Sequence, residues 1–353
     1  MNRHERMSRG YTTFDGAKLV ANADRLAAIR SRHDWRPITV QLAPTEACED
    51  QCPWCSVANR PIRSSMPWSV LEQCVADFAA LGARSLEITG GGNPLLYRSD
   101  GRTVNDVVAL AHRLGLQVGI ITNARSLRVL TAASREILAW VRVSLIGLDE
   151  PDPTPYDFGT GLEGKLGVSY IINTGDDSNP LDRRGRYHLT TVHTIDRIVA
   201  LLEANPHVRF CRIAGNCLRK GNNARARADW LDVVDRHPRM FVKDIGDDDD
   251  PHPTFCGIGA LRPYVASLPT GGGYAVYTCT SHVLAARNYS LEHKLCDVAD
   301  IIPTWQAMRG KQEPYTVGSN RWDETPTCAR CYYARSNAIL EAASCGVQDA
   351  EFA

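Results

Sequence analysis

Three cysteines lie within eight residues near the start of the chain, in the order Cys48-Glu-Asp-Gln-Cys52-Pro-Trp-Cys55. Three thiolates at this spacing can each ligate one iron of a single cubane. The next cysteine in the sequence is far from this group, so one iron keeps a site for a non-protein ligand. Ferredoxin motifs close that site with a fourth thiolate, and structural zinc takes its ligands as two pairs. The motif therefore indicates a catalytic iron–sulfur cluster.

A second group of four cysteines lies in the last hundred residues: Cys256, Cys279, Cys328 and Cys331. Four thiols can hold a cluster whose irons are all ligated, and structural zinc or unligated core thiols are the alternatives. Cys296 could replace one of the four ligands. We expect Cys74, within a helix, and Cys345, beyond the ligand loop, to be buried thiols.

Composition restricts the class of protein. The 353 residues include 12 cysteines, and 44% apolar with 23% charged residues is typical of globular domains rather than disordered or collagen-like chains. Forty basic residues balance forty acidic ones, which predicts no broad electrostatic attraction to duplex nucleic acid or anionic lipid. The first residues lack the apolar region of a secretory signal, and no apolar run approaches the ~20 residues that span a bilayer. We expect a cytoplasmic protein (host cytoplasm if viral) with no membrane partner.

Strands and helices alternate after the first cysteine group. Six apolar, β-branched segments are predicted strands: Ile38–Leu42, Ser85–Thr89, Gln117–Thr122, Val141–Ile146, Gly167–Asn173 and Val208–Ala214. Five segments are predicted helices between and after them: Pro67–Leu81, Val104–Leu114, Ser134–Ala139, Thr194–Ala204 and Ala224–Arg236. This order predicts an α/β fold with a parallel sheet, curled into a partial (β/α)6 TIM-type barrel. A flat doubly wound sheet is the alternative, and both place active chemistry at the carboxyl ends of the strands.

The β/α pattern ends after residue 236. An acidic linker, Asp244–Cys256, precedes a predicted hairpin with strands Tyr264–Leu268 and Tyr274–Cys279, and two helices near Thr304–Arg309 and Ala329–Ala343 follow. An N-terminal helix is predicted over 17–32. We predict three parts of the chain: a helical extension (1–36), the partial barrel (37–240) and a small α+β auxiliary-cluster domain (241–353).

The cysteine motif after the first strand of a β/α chain resembles the radical S-adenosylmethionine (SAM) superfamily, and the resemblance covers roughly Ile38 to Trp230. It implies a [4Fe–4S] cluster on Cys48, Cys52 and Cys55 whose open iron binds SAM. It also implies reductive cleavage of SAM to methionine and a 5′-deoxyadenosyl radical that abstracts hydrogen from a substrate, with the cofactor carrying the difficult chemistry. A reducing partner such as flavodoxin or ferredoxin would supply the electron.

The same resemblance implies seven residues in contact with SAM: Trp54, Gly90, Gly91, Gly92, Asn93, Asn123 and Ser144. The glycines match the segment that hydrogen-bonds the SAM amino group, and Trp54 matches an aromatic position near the adenine. Asn93 stands where the family most often has Glu, which removes a charge from that contact. Asn123 and Ser144 match positions that meet the ribose or carboxylate, and an ordinary turn or strand role is equally compatible with them.

The C-terminal cysteines resemble the twitch appendage, a shortened SPASM domain that holds one auxiliary [4Fe–4S] cluster. The stretch Cys331–Leu340 resembles the C-terminal helix of radical SAM proteins found in bacteriophage genomes, some of which isomerise amino-acid-modified thymidine in viral DNA. This implies a substrate that is a modified DNA base or nucleotide. The alternative is a dehydrogenase or epimerase that matures a small-molecule or peptide natural product.

Three further features concern the substrate. Cys211 and Cys217 could approach the barrel mouth, where Cys217 would return a hydrogen atom to a substrate radical, and core packing or a loop thiol is the alternative. Basic residues at 183–188 and at Arg219-Lys220 follow the fifth and sixth strands. They would suit a phosphate or carboxylate on the substrate, or else form a solvated surface loop.

Overall fold

The computed structural model describes residues 3–11, 16–50, 52, 54–148, 150, 153–173, 190–216, 230–232, 234–243, 256–280, 291–314, 331 and 333–346. In chain order the described helices are α1 (Arg3–Tyr11), α2 (Gly16–Val20), α3 (Ala23–Arg32), α4 (Trp68–Ala80), α5 (Val104–Arg113), α6 (Ala132–Ile137), α7 (Val192–Ala204), α8 (Ile258–Leu261), α9 (Ile301–Met308) and α10 (Ala334–Cys345). The strands are β1 (Thr39–Leu42), β2 (Ser85–Ile88), β3 (Arg98–Ser99), β4 (Arg102–Thr103), β5 (Gln117–Thr122), β6 (Trp140–Ser144), β7 (Leu166–Ile172), β8 (Cys211–Gly215), β9 (Met240–Val242), β10 (Tyr264–Ser267), β11 (Tyr274–Tyr277) and β12 (Lys294–Asp297).

Ten of the strands form one sheet in the order β12-β11-β10-β1-β2-β5-β6-β7-β8-β9. The series from β10 to β9 is parallel, whereas β11 and β12 add antiparallel strands beyond β10. Arg212 on β8 interacts electrostatically with Glu87 on β2 although three strands separate them in the sheet. This interaction indicates that the sheet is curved. This architecture confirms the predicted α/β class and the partial TIM-type barrel.

Most predicted elements are present, with small shifts at their ends. All six predicted strands occur, and β5 has the predicted bounds. The N-terminal helix over 17–32 is instead two helices, α2 and α3, with a turn at residues 21–22 between them. Of the helix predicted over 224–236, residues 224–229 and 233 lie outside the described residues, as do the linker at 244–255 and residues 329–330 and 332 of the last helix.

Two parallel strands were not predicted as part of the barrel sheet. β9 was missed because it has only three residues, and β10 pairs in parallel with β1, so the predicted hairpin continues the barrel sheet. The short strand β12 on the far side of that hairpin was also missed. β9 spans the predicted boundary between residues 240 and 241, and the division into three domains stays a prediction.

Local sequence signals explain where the elements start and stop. Thr103 and Asp106 form a capping box at the start of α5, which satisfies amide groups that the first helical turn leaves unpaired. Gly115 follows that helix with a φ of 79°, a conformation that side chains rarely adopt. β5 begins two residues later, so a short connection returns the chain to the sheet.

Aromatic rings and α1 cover the amino ends of the last strands of the barrel, β7 to β9. The ring of Phe210 lies where a Cβ on Gly167 would sit, and Tyr11 of α1 stacks on Phe210 with 4.1 Å between ring centroids. His4 of α1 accepts a hydrogen bond from the backbone N–H of Val242 in β9, at 3.1 Å. The interior beside β7, β8 and β9 is therefore covered at the amino ends of these strands. Among the described helices, none is both long and apolar enough to cross a membrane.

Candidate functional site

The loop after β1 carries the three cysteines of the first motif at the carboxyl edge of the sheet. The backbone N–H of Cys55 donates to the carbonyl of Cys52 at 3.1 Å, so a tight turn holds these two residues together. Cys48, Cys52 and Cys55 are all partly exposed, and none of the described cysteines is joined in a disulfide. Three thiols are thus available at the edge where parallel sheets place their chemistry.

The glycine turn after β2 packs directly on this cysteine loop. The backbone N–H of Asn93 donates to the carbonyl of Ala47 at 2.7 Å, one residue before the first cysteine. A Cβ on Gly91 would overlap the Glu46 carboxylate, and a Cβ on Gly92 would overlap the Ala47 carbonyl oxygen. The glycines are therefore needed for backbone contact between the two loops. Their contact with SAM stays a prediction.

The end of β5 fixes the first cysteine. Asn123 Nδ2 donates to Cys48 Sγ at 3.3 Å and to Asp50 Oδ2 at 2.6 Å, and Arg125 Nη1 lies 3.3 Å from each Asp50 oxygen. Burial raises the pKa of the Cys48 thiol, whereas the Asp50 backbone N–H, the Arg60 guanidinium and the Asn123 amide act to lower it. Asn123 thus positions a cysteine in this structure, and its predicted contact with SAM is untested.

Arg60 places a positive charge beside the thiols. Its Nη1 lies 3.5 Å from Cys55 Sγ and donates to the carbonyl of Val57 at 3.1 Å, while Nε donates to the carbonyl of Glu46 at 2.8 Å. A fixed cation favours the thiolate, which is the form that binds iron. Sequence reasoning missed Arg60, although a basic residue five positions after the last cysteine of the motif was a signal.

Asn93 is enclosed by the fold. It is 1% exposed, its Oδ1 accepts from Thr122 Oγ1 at 2.7 Å and from the Leu95 N–H at 3.1 Å, and its Nδ2 donates to Glu49 at 2.8 Å. The side chain therefore joins the glycine turn to β5 and to the cysteine loop. An amide can both donate and accept here, which a carboxylate at this position could not do.

Trp54 and Ser144 complete the set of predicted SAM contacts. Trp54 is buried within the cysteine loop region, at 8% exposure. Ser144 ends β6, is partly exposed, and has its Oγ 3.5 Å from Ser169 Oγ on β7. Both residues lie at the carboxyl side of the sheet, and their roles toward SAM stay predictions.

Three of the four C-terminal cysteines are described, and Cys328 lies outside the described residues. Cys256, Cys279 and Cys331 are each partly buried against the principal hydrophobic core. Asn337 joins two of their segments, because its Oδ1 accepts from the Ile258 N–H at 2.8 Å and its Nδ2 donates to Cys331 Sγ at 3.7 Å.

Within the part of the chain that is described, no three His, Cys, Asp or Glu side chains converge on a point that would hold a single metal ion. An iron–sulfur cubane has a different geometric requirement. Each thiolate binds a different iron, so the cysteine sulfurs do not have to converge on one point. Thiolate donors suit iron–sulfur clusters, and both cysteine groups offer only thiols. The donor chemistry at the first loop therefore fits a cluster.

The remaining cysteines lie in three different environments. Cys74 is buried as predicted and interacts with Cys296, so Cys296 on β12 lies against α4. Cys345 is exposed, contrary to the prediction, because it ends α10 on a side that faces away from the core. Cys211 is fully buried on the helix-covered face of β8, so the expectation that it approaches the barrel mouth is wrong. Cys217 and the basic residues at 183–188, 219 and 220 lie outside the described residues.

A cavity of about 600 Å³ opens at the opposite end of the sheet from the cysteine loop. Its lining includes the first residues of four strands: Thr39, Ser85, Gln117 and Trp140. In parallel sheets the active site lies at the other end, so the cavity is separate from the predicted SAM site.

The fold is similar to that of SuiB from Streptococcus suis. The structure of SuiB bound to S-adenosylmethionine matches with a TM-score of 0.54 at 15% identity, covering 90% of this chain and 77% of SuiB. The structure of SuiB bound to precursor peptide SuiA matches with a TM-score of 0.52 at 15% identity, covering 83% and 70%. No protein-family model and no curated protein sequence matches the chain. At this identity the likeness concerns the fold.

We predict that Arg60→Gln makes Cys48 less reactive in the metal-free protein. Loss of the guanidinium removes a charge that stabilises the thiolate, so the pKa of Cys48 rises and the pH profile of alkylation moves to higher pH. Mass spectrometry of the Cys48 peptide after timed iodoacetamide treatment measures the rate at each pH. The exposed Arg63→Gln variant is the control and should leave the profile in place. An unchanged profile for Arg60→Gln would show that this cation does not act on the loop.

Proposed function

We propose that the protein is a radical SAM enzyme with its catalytic [4Fe–4S] cluster on Cys48, Cys52 and Cys55. The observation that carries the proposal is a three-thiol loop at the carboxyl edge of a curved parallel sheet, packed against a glycine turn. When bound, the cluster and SAM supply a 5′-deoxyadenosyl radical that removes a hydrogen atom from the substrate. A flavodoxin or ferredoxin is the proposed electron donor.

The chain's own residues position and polarise this site. Asn123 and Asp50 hold the segment around Cys48, and Arg60 keeps positive charge beside Cys55. Buried contact of the glycine turn with the loop leaves no room for the loop to move toward β2. Such preorganisation is what a reactive intermediate requires, since a loosely held site would admit water and side reactions.

The first test replaces Cys48, Cys52 and Cys55 together by Ala. We expect the anaerobically reconstituted variant to lose the absorbance of the catalytic cluster and all cleavage of SAM under dithionite, because no other group in the loop can replace three thiolates. Liquid chromatography of 5′-deoxyadenosine measures the cleavage. Cys345→Ala removes one exposed thiol and should cleave SAM at the wild-type rate. Wild-type protein that binds iron but never cleaves SAM would contradict the proposal.

We further propose that Cys256, Cys279, Cys328 and Cys331 hold an auxiliary [4Fe–4S] cluster in a twitch-like domain. The convergence of Cys331 and the Cys256 segment on Asn337 supports this assignment. A second cluster would accept an electron from a substrate radical or anchor the substrate.

Iron quantitation tests the auxiliary cluster. Wild-type protein should contain about eight irons, and Cys256→Ala/Cys279→Ala/Cys331→Ala should contain about four, because each cubane holds four irons. Mössbauer spectra of the variant should retain only the catalytic cluster. About four irons together with bound zinc in the wild-type protein would assign the C-terminal thiols to zinc instead.

For the reaction, we propose isomerisation of an amino-acid-modified thymidine or nucleotide in phage DNA modification. The support is the resemblance of Cys331–Leu340 to the C-terminal helix of phage radical SAM proteins. The second candidate is oxidation or epimerisation of a natural product, and the fold similarity to SuiB, solved with precursor peptide SuiA, favours a peptide in that case.

The substrate that is converted, together with the mass and stereochemistry of its product, distinguishes the two candidates. With DNA that carries thymidine linked to glycine through nitrogen, we expect a nucleoside product of unchanged mass and altered retention, because isomerisation moves atoms without net oxidation. The triple cysteine variant of the first loop is the control and should leave the DNA unaltered. A lack of turnover on DNA, combined with a loss of two hydrogens from a peptide such as SuiA or with an inverted stereocentre in it, would establish the second candidate.

A further inference from the structure

The interior of the barrel contains a group of buried charged residues between the strands. Glu87 on β2 is 1% exposed, and its two oxygens accept hydrogen bonds from Gln41 Nε2 at 2.7 Å and from Arg262 Nη2 at 2.9 Å. Arg142 on β6 and Arg212 on β8 are 4% and 9% exposed and interact with the same carboxylate through charge alone. These side chains lie on the inner face of the sheet and interact electrostatically although their strands are not neighbours in it.

The positive charge in this group exceeds the negative charge. Among the described residues, three guanidinium groups interact with the single carboxylate of Glu87, and each of its oxygens already accepts one hydrogen bond. The Nε atoms of Arg142 and Arg212 are buried, and no described residue accepts a hydrogen bond from them. Burial lowers the pKa values of both groups, that of Arg142 to about 10, and a neighbouring guanidinium, Arg262 for Arg142 and Arg142 for Arg212, lowers each of them further. Buried charge without a partner is costly to folding, so a missing acceptor is the physical expectation.

The two arginines lie below the open end of the barrel. Arg142 is two residues before Ser144 on the same face of β6, which places it about 7 Å deeper along the strand. Ile121, one residue before the end of β5, pairs with Arg142 in the β5–β6 register and is partly exposed, so the interior at this level is not completely filled. The lining of the cavity at the amino ends of the strands includes Glu87 and Arg262 but not Arg142 or Arg212. Ser169, which pairs with Arg212, adds a hydroxyl beside the second guanidinium.

We propose that Arg142 and Arg212 bind an acidic group of the substrate, a carboxylate or a phosphate, that enters the barrel from the carboxyl ends of the strands. A guanidinium presents paired N–H donors that match the oxygens of either anion. The bound anion would balance the excess charge around Glu87. The assignment of this anion to the substrate rests on the proposed function, whereas the existence of an anion site does not.

The carboxylate of SAM is the other possible source of this chemistry. The predicted SAM contacts Asn123 and Ser144 lie at the strand ends, and the arginines lie deeper. A group that reaches them must therefore extend beyond the level of those contacts, which favours the substrate. Measurements of SAM binding separate the two sources.

The test uses the full-length protein and two simple anions. With inorganic phosphate or acetate at constant ionic strength, we expect the unfolding midpoint of the wild-type protein to rise with anion concentration, because ligands that bind only the folded state stabilise it. Arg142→Met and Arg212→Met should lose this rise. Their midpoints without anion should equal or exceed that of the wild type, since Met buries similar volume without charge. Arg128→Met removes an exposed arginine and should keep the rise.

Each alternative result has a distinct meaning. A wild-type midpoint that rises no more with phosphate or acetate than with chloride overturns the anion site, as does loss of the rise in Arg128→Met. A loss of SAM affinity of about tenfold in Arg142→Met and Arg212→Met would assign the arginines to the SAM carboxylate and overturn the substrate assignment. A wild-type protein with the anion-dependent rise but no SAM cleavage would refute the proposed function and leave the anion site intact.

Discussion

The turn after β2 and the loop after β1 lie directly against each other, and the turn meets the loop with glycines. Gly91 and Gly92 contact Glu46 and Ala47, and the Asn93 N–H donates to the Ala47 carbonyl. This contact fixes the position of the loop just before Cys48. Asn123, at the end of β5, then holds the sulfur of Cys48 with a hydrogen bond. The loop is thus held by β1, β2 and β5, which are neighbours in the sheet. A change in any of these strands would reach the thiols through the glycine contact or through the hydrogen bonds of Asn93 and Asn123.

The two faces of the sheet differ in polarity. Residues such as Val118, Ile120 and Cys211 face the helices and form the core, whereas Gln41 and Glu87 face inward. The outer face of this sheet buries apolar area against the helices. Its inner face carries buried polar and charged side chains, whereas barrel interiors are usually packed with branched apolar residues. Burying these charges lowers the stability of the fold. Residues that lower stability are typical of functional sites, which is why the interior is a candidate for one.

The sequence predicted the helices and strands well where apolar residues recur at regular spacing over a long segment. β5 and α5 could be recognised from their patterns and caps, and the cysteine spacing identified the candidate loop. β9 has three residues and no period to detect, and the parallel pairing of β10 with β1 depends on contacts more than 200 residues apart. The buried arginines were not recognised for a related reason. An Arg in a strand indicates an exposed position until the curvature of the sheet shows that it points inward.

β9 is the last strand of the sheet in the described part of the chain, and such strands present unpaired amide groups that can recruit a strand from another molecule. His4 reduces this hazard. Its Nδ1 accepts from Val242, so Nε2 carries the proton and donates to Asp235 at 2.8 Å. A histidine about 240 positions away in the chain therefore occupies an amide of this border strand and limits self-association. The amide of Val242 is therefore covered only when the first residues of the chain have docked on the last strand of the barrel.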